Sequence, residues 1–284
     1  MRSLTAGFLV PAFVLLITTC GSSPVARAGS ITIPGLPGLV LLLTPQVVSV
    51  GGISTDGANF SAAQTMPVIA SVSAGGKGVG GSSSVADAYA RGPVLGFPGF
   101  ATTNAQTKAG VGQTSAAFAI AKAGATISAS VAVKGMFTVK LDPYMVNQSN
   151  ASSSMSYQLI FNGQTLFSAG ATLMDGSLTT DGAFSSGSFD VVTSSSSTTA
   201  TLLAPSSVFS VPFSISGSDL NQNLSFEFDE TFNASASNGG FASVVGVPEP
   251  STLVMGGIAS LVGLACLWRR RRCASSSRVG CMYT

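Results

Sequence analysis

The stretch SYQLIFNGQTLFSAGATL, residues 156–173, decides the fold class. Asn162-Gly163 sits at its centre, between two runs of strand-forming side chains. Both residues tolerate the positive φ of a type I′ turn, the turn whose twist suits paired strands. The spacing predicts a hairpin over 155–161 and 164–173. Asp175-Gly176 and Asp181-Gly182 predict further turns just downstream.

The alternation spreads outward from there. VAVKGMFTVKLD (131–142) alternates apolar and polar residues, as a half-buried strand does. In NLSFEFDETF (223–232), Leu224, Phe226, Phe228 and Phe232 fall on one side, and Ser225, Glu227 and Asp229 on the other. SVFSVPFSIS (207–216) alternates too, and Pro212 assigns that strand to an edge or a bulge because it donates no ladder hydrogen bond.

The first half is less regular. GLPGLVLLLTPQVVSV (35–50) carries one strongly apolar run, read as a buried first strand. SSVADAYARG, ATTNAQTKAG, SAAFAIAKAG and ATISASVAVKG are of strand length, and several end in Gly, predicting short strands about ten residues apart. A helix through 116–122 competes, since Ala favours helix; the surrounding Gly, Ser and Thr favour strand. SAGGKGVGGSSS (73–84) reads as a flexible loop or linker, and partial disorder is expected around 74–84 and in VVTSSSSTTATL (191–202). The expected fold class is all-β: an antiparallel β-sandwich over 29–246, followed by a single C-terminal transmembrane helix.

Both ends of the chain read as processing segments. The start has one charge, Arg2, then an apolar run from about Leu4 to Ile17, then Ala26-Arg27-Ala28. Small residues at Ala26 and Ala28 suit signal peptidase, so residues 1–28 are read as a signal peptide cleaved after Ala28. The alternative, an N-terminal anchor, needs a longer apolar span than this one, which Gly7 and Pro11 interrupt. A lipoprotein reading at Cys20 is weaker, because Thr19 is not the very small residue that should precede a lipid-carrying Cys.

Near the other end the chain reads VPEPSTLVMGGIASLVGLACLWRRRR, residues 247–272. Residues 252–268 would rise about 26 Å as a helix, close to the hydrocarbon thickness of a bilayer. Trp268 suits the lipid–water interface, and Arg269, Arg270, Arg271 and Arg272 would be held in the cytoplasm. A short cytoplasmic tail, 273–284, follows; its Cys273 and Cys281 have no assigned role, although Cys273 stands where acylation occurs.

Pro248-Glu249-Pro250, the short apolar span and the Arg cluster, in that order, closely resemble the PEP-CTERM sorting signal of exosortase-processed bacterial surface proteins. The resemblance implies that Pro248, Glu249 and Pro250 are recognised by a membrane-embedded exosortase that cuts near them. It implies a protein anchored in the inner membrane first, then delivered to the cell surface or an extracellular matrix. It covers under a tenth of the chain and is silent on the domain between the ends.

That domain has sparse chemistry. The chain has no His, and its four Cys all lie outside 29–246. The usual nucleophile–base pairs, most zinc sites and a disulfide framework are therefore excluded there. Residues 29–140 hold six basic side chains against Asp56 and Asp87, while 141–247 hold eight acids and no Lys or Arg. That asymmetry can draw the halves together or collect cations, or it is ordinary drift in a weakly charged surface. No basic patch interleaves with aromatics, which excludes nucleic acid as a partner.

Glu227 with Asp229, or with Glu230, could form a carboxylate pair; an acidic solvent face is the plainer reading. DPYMVNQSN (142–150) and the loop with Asp175 and Asp181 offer oxygen ligands that calcium takes, but turn chemistry explains those acids as well. Tyr89, Tyr144 and Tyr157 are too scattered for a carbohydrate platform. The expectation is a noncatalytic surface or matrix protein with no catalytic residues, metal or cofactor. Its expected partners are signal peptidase, exosortase, the membrane before processing, and extracellular polysaccharide. The alternatives are a glycan- or calcium-binding module and, behind it, a carboxylate-based secreted hydrolase.

Overall fold

A computed structural model of the chain describes residues 29–96, 98–203 and 207–246. The signal peptide, the Pro-Glu-Pro motif, the membrane helix at 252–268, the Arg cluster and the tail expected from the sequence lie outside the described residues.

Strand accounts for 71 % and helix for 3 % of the described residues. The chain order begins β1 (Gly29–Thr32), β2 (Leu39–Leu43), β3 (Gln46–Ser54), β4 (Phe60–Met66), β5 (Ile69–Lys77) and β6 (Ser83–Arg91). It continues β7 (Pro98–Lys108), β8 (Thr114–Ala129), β9 (Val133–Leu141), β10 (Pro143–Gln148), β11 (Ala151–Phe161) and β12 (Gln164–Met174). Then come β13 (Ser177–Gly182), β14 (Phe189–Thr193), β15 (Ser197–Leu202), β16 (Val208–Ile215), β17 (Leu224–Ser237) and β18 (Phe241–Gly246).

These form two antiparallel sheets, of ten and eight strands among the described residues. Each sheet forks at a long central strand. In the ten-stranded sheet β7 carries β6 along one edge, with β5 beyond it. Its other edge is shared: β1 pairs 98–101 and β18 pairs 104–108. From β1 the sheet continues to β9 and β16; from β18 it continues to β10, β15 and β14. In the eight-stranded sheet β8 carries β17 over 114–127. Its other edge is shared by β3 over 115–122 and β2 over 125–129.

The predicted hairpin is β11–β12, with Asn162 at φ 50° and Gly163 at φ 77°. It starts four residues earlier than expected. Asp175-Gly176 makes the next turn, with φ of 49° and 78°. Pro212 lies on β16, which pairs only with β9 among the described residues and so stands at an edge.

The sheets face each other across one core whose filling changes along its width. On one side it is aromatic: Phe137 stacks on Phe213 with ring centres 4.2 Å apart, and Phe161 and Phe226 pack around them. On the other side, Ala86, Ala88, Ala90, Ala101, Ala105, Ala117, Ala119 and Ala121 supply the buried surface. The Ala-rich composition of the first half is thus a thin core layer. A closed triangle of hydroxyls, Ser84, Thr107 and Ser115, joins the sheets there at 2.7–2.8 Å.

Four expectations are corrected. Residues 73–84 are ordered as the β5–β6 hairpin: Ser82 N–H donates to Asp56 Oδ2 at 3.0 Å, and Ser54 Oγ donates to Asp56 Oδ1 at 2.7 Å. These bonds, that from Ser54 first, hold the Asp56 carboxyl below its ordinary pKa. Residues 191–202 are ordered as the β14–β15 hairpin, whose turn closes through Ser194 N–H donating to Ser197 O at 2.8 Å. The apolar run near residue 40 is two strands, parted at Thr44-Pro45, and Val40 and Leu42 point outward. The two short strands expected on either side of Gly124 are one, the 16-residue β8.

Candidate functional site

The acidic candidates fall on both faces of β17. Its inward positions are Leu224, Phe226, Phe228, Glu230, Phe232, Ala234 and Ala236; Glu227 and Asp229 point outward. The predicted pair, Glu227 and Asp229, is brought together, but by a cation. Lys122, directly opposite Asp229 on β8, places Nζ 2.7 Å from Glu227 Oε1 and 2.8 Å from Asp229 Oδ2. Burial, with the Glu227 carboxylate beside it, pushes the Asp229 carboxyl up to about 6 against the pull of Lys122. Burial also raises Glu227, but the hydrogen bonds to Lys122 and Asp229 and the charge of Lys122 together outweigh it and leave that group below its ordinary value.

Glu230 is separate from this cluster. Its side chain is fully buried, and Oε1 accepts from Thr103 N–H at 2.8 Å and from Thr103 Oγ1 at 2.7 Å. Thr103 lies on β7 between the segments taken by β1 and β18, where the ladder leaves its N–H without a strand partner among the described residues. Oε2 has no hydrogen-bond partner. Burial pushes the carboxyl well above its ordinary value. Alternation along 224–232 marks position 230 as inward; a Glu there, among Phe residues, is the signal that sequence reasoning passed over.

The expected oxygen ligands do not converge. Asp175 sits in the β12–β13 turn, and Asp181, at the far end of β13, accepts its own neighbour's N–H, from Gly182, at 2.7 Å. Among the described residues no group of three or more acidic, Cys or His side chains gathers as a metal site. Tyr157 is fully buried, and Tyr89 and Tyr144 are half-buried on β6 and β10, with β7 and β18 between them. The three tyrosines make no common surface.

One open groove, of about 630 Å³, runs across the end of the eight-stranded sheet. Thr114, Asn150, Ser152 and Asp175 give it polar groups; Ile53 and Met174, both exposed, give it apolar ones. No described helix is long and apolar enough to cross a membrane, which leaves β-barrels unaddressed.

The described chain ends at Gly246 on β18, whose N–H donates to Asn104 Oδ1 at 3.2 Å. Pro248 follows two residues later. A family model for the PEP-CTERM protein-sorting motif matches residues 246–272. No curated protein and no solved structure matches the chain. The matched span holds the Pro-Glu-Pro motif, the apolar run and all four clustered arginines. The chain therefore carries a PEP-CTERM protein-sorting motif over residues 246–272, which indicates a surface protein targeted to exosortase.

Proposed function

We propose that the β domain is a noncatalytic structural component of an extracellular matrix or cell envelope. Signal peptidase cuts after Ala28, the helix at 252–268 anchors the chain in the inner membrane, and Arg269–Arg272 hold its end in the cytoplasm. Exosortase then acts near Pro248-Glu249-Pro250 and passes the domain to the surface or an exopolysaccharide matrix. The observation that carries the noncatalytic reading is Lys122. It bridges the two carboxylates closest to a hydrolase pair on an outward sheet face, so neither is left to a substrate.

A second reading, a glycan-binding module, is favoured by the groove beside Asn150, Ser152 and Asp175. Its hydroxyl, amide and carboxylate groups can exchange hydrogen bonds with a polyol, though no aromatic ring offers a stacking face there. The purified protein run over immobilised exopolysaccharide separates the two. Elution in the void volume is expected of the structural component. Retention abolished by Asn150→Ala with Asp175→Ala would establish binding.

A further inference from the structure

Glu230 and Gly29 meet at the fork in the ten-stranded sheet. A Cβ on Gly29 would lie 2.9 Å from Glu230 Oε2 and 2.9 Å from the Phe228 ring, so this position admits only Gly without a shift. The backbone nitrogen of Gly29 is then at most about 5.4 Å from that oxygen, by standard backbone geometry. Gly29 is buried, held between Ala101 on β7 and Leu141 on β9.

The carboxyl end of Glu230 has used only half its capacity. Oε1 takes both Thr103 donors; Oε2 has none, and no Lys or Arg of the described residues pairs with it. A carboxyl buried this way is retained at a cost unless a donor reaches it.

Hydrolysis of the Ala28–Gly29 amide supplies that donor. One water is taken up, Ala28 leaves as a carboxylate, and Gly29 keeps an amine that takes a proton. We propose that the α-ammonium created at Gly29 on removal of residues 1–28 is the ionic partner of Glu230, so that export itself completes the core at the fork. This rests on cleavage after Ala28. The ammonium has three donors, enough to keep one sheet hydrogen bond and reach Oε2. The other titratable groups facing the fork are Tyr157, directly opposite Glu230 on β11, and Asp142, which follows β9; both Glu230 and Asp142 act electrostatically on Tyr157. Neither of these two competes as a cation.

The test uses the full chain, exported with its own signal peptide and purified in detergent. Sequencing of its N-terminus comes first, then reductive methylation of the α-amine with formaldehyde and cyanoborohydride across pH 6–10, read by peptide mass. The expected N-terminus is Gly29, with a methylation midpoint at least about one unit above the ordinary 7.7–8.0 of an α-amine, a tenfold slowing at neutral pH. Glu230→Gln, which keeps the Thr103 bonds, is expected to bring the midpoint back down; burial alone would leave it unmoved. An N-terminus other than Gly29 overturns the cleavage and the pairing together. A Gly29 terminus with an ordinary midpoint in the unaltered protein overturns the pairing and leaves the cleavage standing, whether or not the Gln variant folds.

Discussion

Gln46 and Gly124 exchange two hydrogen bonds as residues of neighbouring strands do, but Gln46 does so with its side chain. Gly124 N–H donates to Gln46 Oε1 at 3.0 Å, and Gln46 Nε2 donates to Gly124 O at 2.9 Å. Gly124 lies between the segment of β8 that β3 takes, up to Lys122, and the one that β2 takes, from Ala125. The fully buried amide stands in for the missing peptide group. At the other fork Glu230 does the same for Thr103 from the facing sheet. Each branched sheet satisfies its gap with one buried polar side chain, as buried backbone groups require.

Gln46→Leu is therefore expected to destabilise the domain by about 2–5 kcal/mol, because it strands both Gly124 groups without water. Gly124→Ala is expected to destabilise as well, since its Cβ would press on Thr44 Oγ1. Adding Thr44→Ala should recover part of that loss. Urea midpoints of the three variants and the double-mutant cycle check this; additive losses would contradict it.

Lys122→Met leaves Glu227 and Asp229 side by side without their cation. Asp229, with its folded pKa raised from 3.8 to about 6, takes up protons in the folded state across that window, so its contribution to stability falls as pH rises through it. Removing Lys122 makes the fall steeper. The variant should lose about 1 kcal/mol at pH 7, a figure kept small because Lys122 and Glu227 are each about two-fifths exposed. The loss should shrink at pH 4. Denaturation at the two pH values reads the difference.

Before cleavage, burial holds the Glu230 carboxyl well above its ordinary value in the folded chain, against 4.5 in the unfolded chain. The folded state then holds the extra proton, and stability declines as pH rises above 4.5, by at most about 1.4 kcal/mol per unit. Glu230→Gln should flatten that decline. In the processed protein, with the α-ammonium in place, the decline should already be shallower. Parallel melts of unprocessed and processed protein between pH 5 and 8 test both points.

The alanine layer predicts a different sensitivity. Ala119 is fully buried in the layer shared by β6, β7 and β8. Ala119→Leu adds three carbons where both sheets present small side chains, and should cost about 1–3 kcal/mol. A Leu on an aromatic-side position such as Phe213 should be tolerated better. Thermal melts of the two variants give the ranking.

Hairpins and alternation were legible in the sequence because they are local. Asn162-Gly163 specified its turn, the Phe residues of 224–232 specified an inward face, and Pro212 specified an edge. The forks were not legible, because they depend on which two strands share one edge of β7 or β8, a contact between residues far apart in the chain. Gly124 therefore read as a strand end when it is a docking point for Gln46, 78 residues away. The Gly- and Ser-rich stretches read as disorder by composition, yet Asp56 and Ser194 order them through hydrogen bonds that composition does not record. Lys122 turned a carboxylate pair into a salt-bridged triad in the same way, from 105 residues away. The sorting motif was legible, since Pro248-Glu249-Pro250, the apolar span and the Arg cluster are contiguous and fall within residues 246–272.

The central claim is that Pro248-Glu249-Pro250 directs exosortase to this chain. The most direct measurement is the intact mass and cell fraction of the protein in an exosortase-containing host, for the native chain and for Pro248→Ala with Glu249→Ala and Pro250→Ala. The native chain should lose the residues beyond its motif and leave the inner membrane. The substituted chain should keep its C-terminus and stay in the membrane fraction. Equal processing and equal distribution of the two would contradict the account.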